Sequence, residues 1–232
     1  MVHKCLVFKI FPTEFLVIII LRPANVLCFT KPRKIPQWAL MSNPENYVFR
    51  DVAFFQAQVY ALCDNGSIVK INFHESGPAA TATHLVVSNM EGETAERSYL
   101  VASPDHLYGV FRYDDEDDGR TTFAVYKLNF GSLKWEAVWS IENYAFFVGN
   151  GNSLCFIPAS RVNYRRNCIY FTYDDGEKLE LVLPNEGRFD FGIYDLDTWD
   201  TVLRLVTAES VPSTHPRPTW IAHGLTPPNF RN

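Results

Sequence analysis

Asp51-Val52-Ala53-Phe54-Phe55-Gln56-Ala57-Gln58-Val59-Tyr60-Ala61-Leu62-Cys63-Asp64-Asn65-Gly66 is the stretch on which the fold turns. It holds two short apolar runs, 52–55 and 58–63, and ends in turn chemistry. Short runs rich in Val, Phe and Tyr and bounded by turn residues read as strands. The Asn65-Gly66 pair supplies the positive φ that a tight hairpin needs, so the run 67–73 is expected to fold back on 58–63.

The same rhythm continues outward. Runs 83–88, 97–103 and 106–113 lead to the acidic loop 114–119, and 121–130 turns at Gly131-Ser132 into 133–141. Further runs follow at 145–148, 153–158, 167–173, 178–183, 189–196 and 201–206, separated by Gly, Asn and Asp turns. Strands of about five to ten residues with no long helical period imply an all-β sandwich, barrel or propeller. A weak internal repeat favours the propeller, whose unit is about 40 to 50 residues. Thr122-Phe123-Ala124-Val125-Tyr126-Lys127-Leu128 and Phe189-Asp190-Phe191-Gly192-Ile193-Tyr194-Asp195-Leu196 share a core pattern, and each is followed by a turn and a Trp, at Trp135 and Trp199. Tyr126, Tyr194, Trp135 and Trp199 are therefore expected at equivalent blade positions, as packing residues and not as parts of a ligand site.

The composition sets the remaining bounds. With 232 residues, 47% hydrophobic and 15% aromatic, the chain can bury a core as one large β domain. A net charge of -5 leaves no broad positive field, so nucleic acid is not an expected partner. The basic clusters Lys31, Arg33, Lys34 and Arg161, Arg165, Arg166 read as solvated loop faces. Five scattered cysteines (Cys5, Cys28, Cys63, Cys155, Cys168) argue against a disulfide framework or a zinc site and for a reducing compartment. The apolar stretch 5–21 is broken by Lys9, Pro12 and Glu14 into 6–11 and 15–21, which read as two buried strands. A signal peptide or membrane anchor is the alternative reading.

Catalytic signatures are missing. In Asp114-Asp115-Glu116-Asp117-Asp118-Gly119 the acids alternate as in a calcium loop, but Val125 stands where the closing Glu belongs, so a solvated hairpin tip is expected. Gly149-Asn150-Gly151-Asn152 lacks the third Gly of a dinucleotide loop and precedes a strand. The histidines His3, His74, His84, His106, His215 and His223 have no ligand spacing, and Asn65-Gly66-Ser67 is a formal glycosylation sequon on a turn. No enzyme activity, cofactor or metal is expected, and no catalytic or binding residue can be named.

Six ordered blocks over 51–221 resemble the plant KIB-type β-propeller family, long called a domain of unknown function. The 51–66 stretch is similar to its "DVVFYKGKFYALSDDG" segment, and Arg97-Ser98-Tyr99-Leu100-Val101 to "YLVES". Residues 123–130 with Lys134-Trp135 resemble "F-x-VYKLDF…KW", and Tyr144-Ala145-Phe146-Phe147-Val148-Gly149 resembles "ALFLG". Arg166-Asn167-Cys168-Ile169-Tyr170-Phe171-Thr172 resembles "GNCIYFTDD", and Arg217-Pro218-Thr219-Trp220-Ile221 resembles "PPPIWF".

The resemblance implies an incomplete β-propeller of roughly four to five blades of antiparallel strands. Residues 1–40 would be the apolar strands of a partial blade, and 41–230 the propeller region. It further implies the substrate-recognition module of an F-box (SCF-type) ubiquitin ligase, here without an F-box ahead of residue 1. A protein partner, a ubiquitination substrate, is expected, in the cytoplasm or nucleus; a secreted or membrane-associated binding domain is the alternative. An open blade face at 6–11 and 15–21 would lead the chain to self-associate.

Overall fold

In a computed structural model of the chain, the described residues are 2–11, 14–23, 26–30, 37–43, 45–73, 80–86, 95–115, 119–149, 151, 153–156, 164–172 and 190–206. They hold seventeen strands and no helix. The chain divides into two compact units: 1–113 with 123–138 and 225–232, and 114–122 with 139–224.

The first unit carries three four-stranded antiparallel sheets. One is β1 (Val2–Phe11), β2 (Glu14–Leu21), β3 (Val26–Thr30) and β4 (Ala39–Leu40). The second is β5 (Phe49–Phe55), β6 (Gln58–Cys63), β7 (Ile68–Phe73) and β8 (Ala80–Val86). The third is β9 (Arg97–Ala102), β10 (Leu107–Asp114), β11 (Thr121–Asn129) and β12 (Lys134–Val138). In each, consecutive strands are neighbours. The stretch 5–21 is thus a hairpin, with Leu6 opposite Ile18 and Val7 opposite Val17. Strands β3 and β4 were not singled out from the sequence: 26–30 is a short run set off from the apolar stretch by Arg22-Pro23-Ala24-Asn25, and β4 has only two residues. Residues 2–40 consequently form a whole four-stranded sheet and not part of one.

The middle sheet explains why the 51–66 stretch is apolar on both faces. Val52, Val59, Ala61, Val69 and Ile71 pack against Leu6, Leu16, Ile18, Ile20, Leu27 and Phe29 of the first sheet. Ala53, Phe55, Tyr60, Leu62 and Ile68 pack the other way, against Leu100, Leu107, Phe111, Leu128 and Trp135 of the third. Burying each large side chain contributes about 1.5–3 kcal/mol, which makes these two layers the main stabilisation of the unit. Burial falls outward across the third sheet. β9 and β10 are almost wholly buried, β11 alternates, and β12 buries only Trp135. An ionic contact crosses the apolar layers, where Lys4 Nζ lies 2.7 Å from the Asp51 carboxylate with both side chains buried.

The 51–66 stretch holds two turns, of which only Asn65-Gly66 was singled out from the sequence. At 64–66 only Gly66 has positive φ (76°), and Cys63 N donates to Ser67 O at 2.9 Å. This is a three-residue loop closed by a glycine bulge, not a two-residue Asn-Gly turn. The two-residue turn lies instead at Gln56-Ala57, between paired Phe55 and Gln58, with φ of 46° and 60°. Such a turn favours Asn-Gly because side chains in the left-handed region cost about 1–2 kcal/mol. The family stretch quoted above has Gly where this chain has Ala57. The double substitution Gln56→Asn with Ala57→Gly should therefore stabilise the protein by about 1 kcal/mol in urea unfolding. A midpoint that stays put or falls would show that the strain is not there.

The second unit holds one five-stranded sheet in the order β14 (Leu154–Phe156), β13 (Ala145–Val148), β15 (Cys168–Thr172), β16 (Asp190–Asp195) and β17 (Asp200–Val206). Its β13–β15 pair is parallel, a departure from the antiparallel pairing expected throughout. The cause is β14, which turns back on one edge of β13, so the chain must cross over to reach the other edge, and a crossover delivers a parallel strand. Gly192 stands opposite Phe171, whose ring fills the place a Cβ would take. The predicted strand 178–183 lies outside the described residues.

Candidate functional site

A bare asparagine organises the second unit. Asn167, at the entrance to β15, is buried with φ of 55°, a conformation Asn tolerates better than most residues. Its backbone N–H donates to Tyr144 O at 2.8 Å, and its carbonyl accepts from Leu196 N at 3.0 Å. Its side-chain Oδ1 accepts from Ile141 N at 2.8 Å and Ser140 Oγ at 3.0 Å, while Nδ2 donates to Asp197 Oδ1 at 2.7 Å. One residue therefore ties the 139–144 turn to the β16–β17 turn.

Each tied turn presents a tryptophan. The Trp139 and Trp199 rings meet edge to face with centroids 5.4 Å apart. Trp139 is 74% exposed and Trp199 partly so. Trp199 has φ of 55°, unusual for a bulky side chain and a strain the four-residue loop imposes at its last position. The rim is polar: Glu142, Asp197 and Asp200 are exposed, and Arg120 reaches Asp200 at 3.8 Å. That exposed pair contributes little to stability. What the arrangement offers is a rigid, wettable aromatic surface of the kind that anchors protein contacts.

The structure separates the four aromatics that the sequence grouped. Trp135 is buried in β12 and donates its indole N–H to Gly66 O at 2.8 Å. Tyr194 is buried, Tyr126 packs against Phe111, and these three are packing residues. Trp199 is not. The β11–β12 and β16–β17 loops each hold four residues and have positive φ at the last, Leu133 in one and Trp199 in the other. Trp199 therefore matches Leu133, and Trp135 matches Thr201. The sequence repeat misses this register by two residues in opposite senses, since the structure matches Leu128 and not Tyr126 with Tyr194, and Leu133 and not Trp135 with Trp199; within the strand the slip is concealed because a step of two keeps a side chain on its face.

The remaining sequence candidates do not converge. Asp114 accepts from Thr121 Oγ1 at 2.7 Å and Gly119 N donates to Asp115 O at 3.0 Å, closing a hairpin tip; Glu116 to Asp118 lie outside the described residues. Arg165 and Arg166 are exposed, while Lys31, Arg33, Lys34 and Arg161 lie outside the described set. Burial pushes the Cys63 and Cys155 thiols up to about 12 and Cys168 to about 11, so they are protonated at neutral pH. In the sequon, Asn65 is exposed and Ser67 buried. Gly151 leads into β14, a strand and not a helix. Trp139 was missed altogether, since nothing in Glu136-Ala137-Val138-Trp139-Ser140 tells an exposed Trp from a buried one.

Two comparisons with known proteins bear on this architecture. An Arabidopsis thaliana protein named "Putative F-box protein At5g55150" is 23% identical over 210 residues, covering 86% of this chain and 58% of its own length. The chain thus spans under two thirds of that relative. Residues 1–195 match the family described as the KIB1-4 beta-propeller. The match takes in the first hairpin, the three packed sheets and β13 to β16, so the chain belongs to the KIB1-4 β-propeller family and has its all-β propeller fold.

Proposed function

We propose that this chain is a protein-binding β-propeller with no catalysis of its own, and that the Trp139–Trp199 surface is where it holds its partner. The observation that carries the reading is Trp139, 74% exposed yet fixed against Trp199 by a turn that Asn167 pins. Binding energy at protein interfaces concentrates on a few residues, with Trp among the most frequent, and preorganised aromatics lose little entropy on docking. Together with the F-box name of its Arabidopsis relative, this supports a role as the recognition part of a plant SCF-type ubiquitin ligase. In that role the chain works in the cytoplasm or nucleus, and its partners are proteins marked for ubiquitination.

The test is quantitative affinity capture from plant cells with the wild-type chain and with Trp139→Ala plus Trp199→Ala. Proteins held through this surface should fall by about tenfold or more, the loss expected when hot-spot residues are truncated. The variant should melt at nearly the wild-type temperature, because Trp139 is exposed. Those same proteins should accumulate when the proteasome is inhibited. Undiminished capture would move the interface elsewhere, and unchanged levels under inhibition would remove the ligase role.

A further inference from the structure

The Trp139–Trp199 surface carries charge as well as ring area. The 139–144 turn and the 195–201 segment together hold Glu142, Asp195, Asp197 and Asp200 and no lysine or arginine. Arg120 faces Asp200 at 3.8 Å, and Asp197 uses Oδ1 to accept from Asn167 Nδ2. Arg165 and Arg166 are exposed just before Asn167, and the Arg165 charge bears on the Cys168 thiol together with Asp195 and Asp197. Glu142 is different. It is exposed, it shares the turn of Trp139, and among the described residues its carboxylate has no partner. Its backbone is held, since Glu142 N donates to Ser140 Oγ at 3.0 Å and that hydroxyl bonds Asn167 Oδ1.

On the reading that the partner docks here, we infer that the surface receives an arginine side chain of the partner protein, with the guanidinium flat on Trp139 and its N–H fork meeting Glu142. The two rings touch, with centroids 5.4 Å apart at 63°, so nothing enters between them as a ligand enters an aromatic cage. Edge-to-face contact covers one face of Trp139 at most, and at 74% exposure the other is open. An open indole face attracts a cation, more strongly than a Phe or Tyr face does. A guanidinium lies flat on such a ring and still points donors sideways at a carboxylate, whereas an ammonium is a point charge that holds its water. An acidic group on the partner would instead meet Glu142, Asp197 and Asp200 as like charges.

Fluorescence anisotropy on the intact chain tests this with three labelled peptides, made of Gly-Ser-Arg, Gly-Ser-Lys or Gly-Ser-Gln repeats, at low salt. The arginine peptide should bind about fivefold or more tightly than the lysine peptide, and the glutamine peptide more weakly than either. Trp139→Ala should weaken arginine binding about tenfold. Glu142→Lys should weaken it about fivefold or more. Asp105→Lys makes the same change in net charge at an exposed site of the first unit and should leave binding within about twofold. All three positions are exposed, so the variants should fold. Arginine binding no tighter than lysine or glutamine binding, or weakened as much by Asp105→Lys as by Glu142→Lys, would overturn the inference. Adding Glu142→Lys to the affinity capture separates this result from the interface itself. Proteins lost with the double tryptophan variant but kept with Glu142→Lys would leave the interface standing and remove the arginine. Proteins kept with both would remove the interface, and the arginine with it.

Discussion

Asp51→Ala should destabilise the protein by about 3–5 kcal/mol, the loss that follows when one member of a buried ion pair is removed. Asp51 is fully buried, and the partners of its carboxylate include Lys4 Nζ at 2.7 Å, Val52 N at 2.7 Å and Leu100 N at 2.8 Å. It thereby joins β1, β5 and β9, one strand from each sheet of the first unit. Without it, the Lys4 ammonium, 3% exposed, loses its counter-ion and, among the described residues, is left with the Tyr99 ring 5.6 Å away. Two buried amides also lose an acceptor. Domains are stable by about 5–15 kcal/mol, so this single change can consume much of the total. Urea unfolding of Asp51→Ala, of Lys4→Met, and of Lys4→Met with Asp51→Asn gives the test. The double variant should lose less than Asp51→Ala, because no unpaired charge remains in the core. Additive losses would mean that the two groups do not act as a pair.

Nothing in the sequence pointed to that pair. Lys4 stands just ahead of the apolar stretch 5–21 and Asp51 just ahead of the run 52–55, and neither position marks a buried charge. Charge burial depends on contacts between residues 47 positions apart, which no local pattern encodes. Local patterns did place β6 and β13 at their true ends and most other strands to within a few residues, because alternation, β-branched and aromatic residues, and Gly or Asn turns act over neighbouring positions. They failed where the deciding factor was distant. The parallel β13–β15 pair depends on where the chain crosses, and the Gly66 bulge on how many residues the loop must span.

The candidate surface was less legible still. Trp199 was read as packing because a motif two residues out of register placed it beside Trp135, and Trp139 carried no signal of its exposure. What brings the two rings together is Asn167, a residue whose neighbours looked like an ordinary strand entry. Its importance lies in a left-handed backbone and five hydrogen bonds, none of which is apparent from its identity.

Trp135→Ala should cost about 3–5 kcal/mol, the range for truncating a buried Trp to Ala. The ring is 3% exposed in β12, the outermost strand of its sheet, and packs edge to face on Phe111 at 6.4 Å. Gly109 makes the space for it: a Cβ there would lie 3.1 Å from the indole and 2.8 Å from the Phe111 ring. The indole N–H also reaches Gly66 O at 2.8 Å, joining the third sheet to the bulged turn of the middle one. Two contributions can be separated. Trp135→Phe keeps most of the packing but leaves the buried Gly66 carbonyl without that donor, a loss of about 1–3 kcal/mol. Gly109→Ala keeps the bond's partners but crowds both rings, which overpacking makes destabilising by about 1–3 kcal/mol. Thermal and urea unfolding should therefore rank wild type above Trp135→Phe and Gly109→Ala, with Trp135→Ala lowest. If Trp135→Ala melts with the wild type, β12 is not held by this ring, and the tie between the second and third sheets rests on the other contacts, among them Leu100, Leu107, Phe111 and Leu128 and the bond from Leu100 N to Asp51.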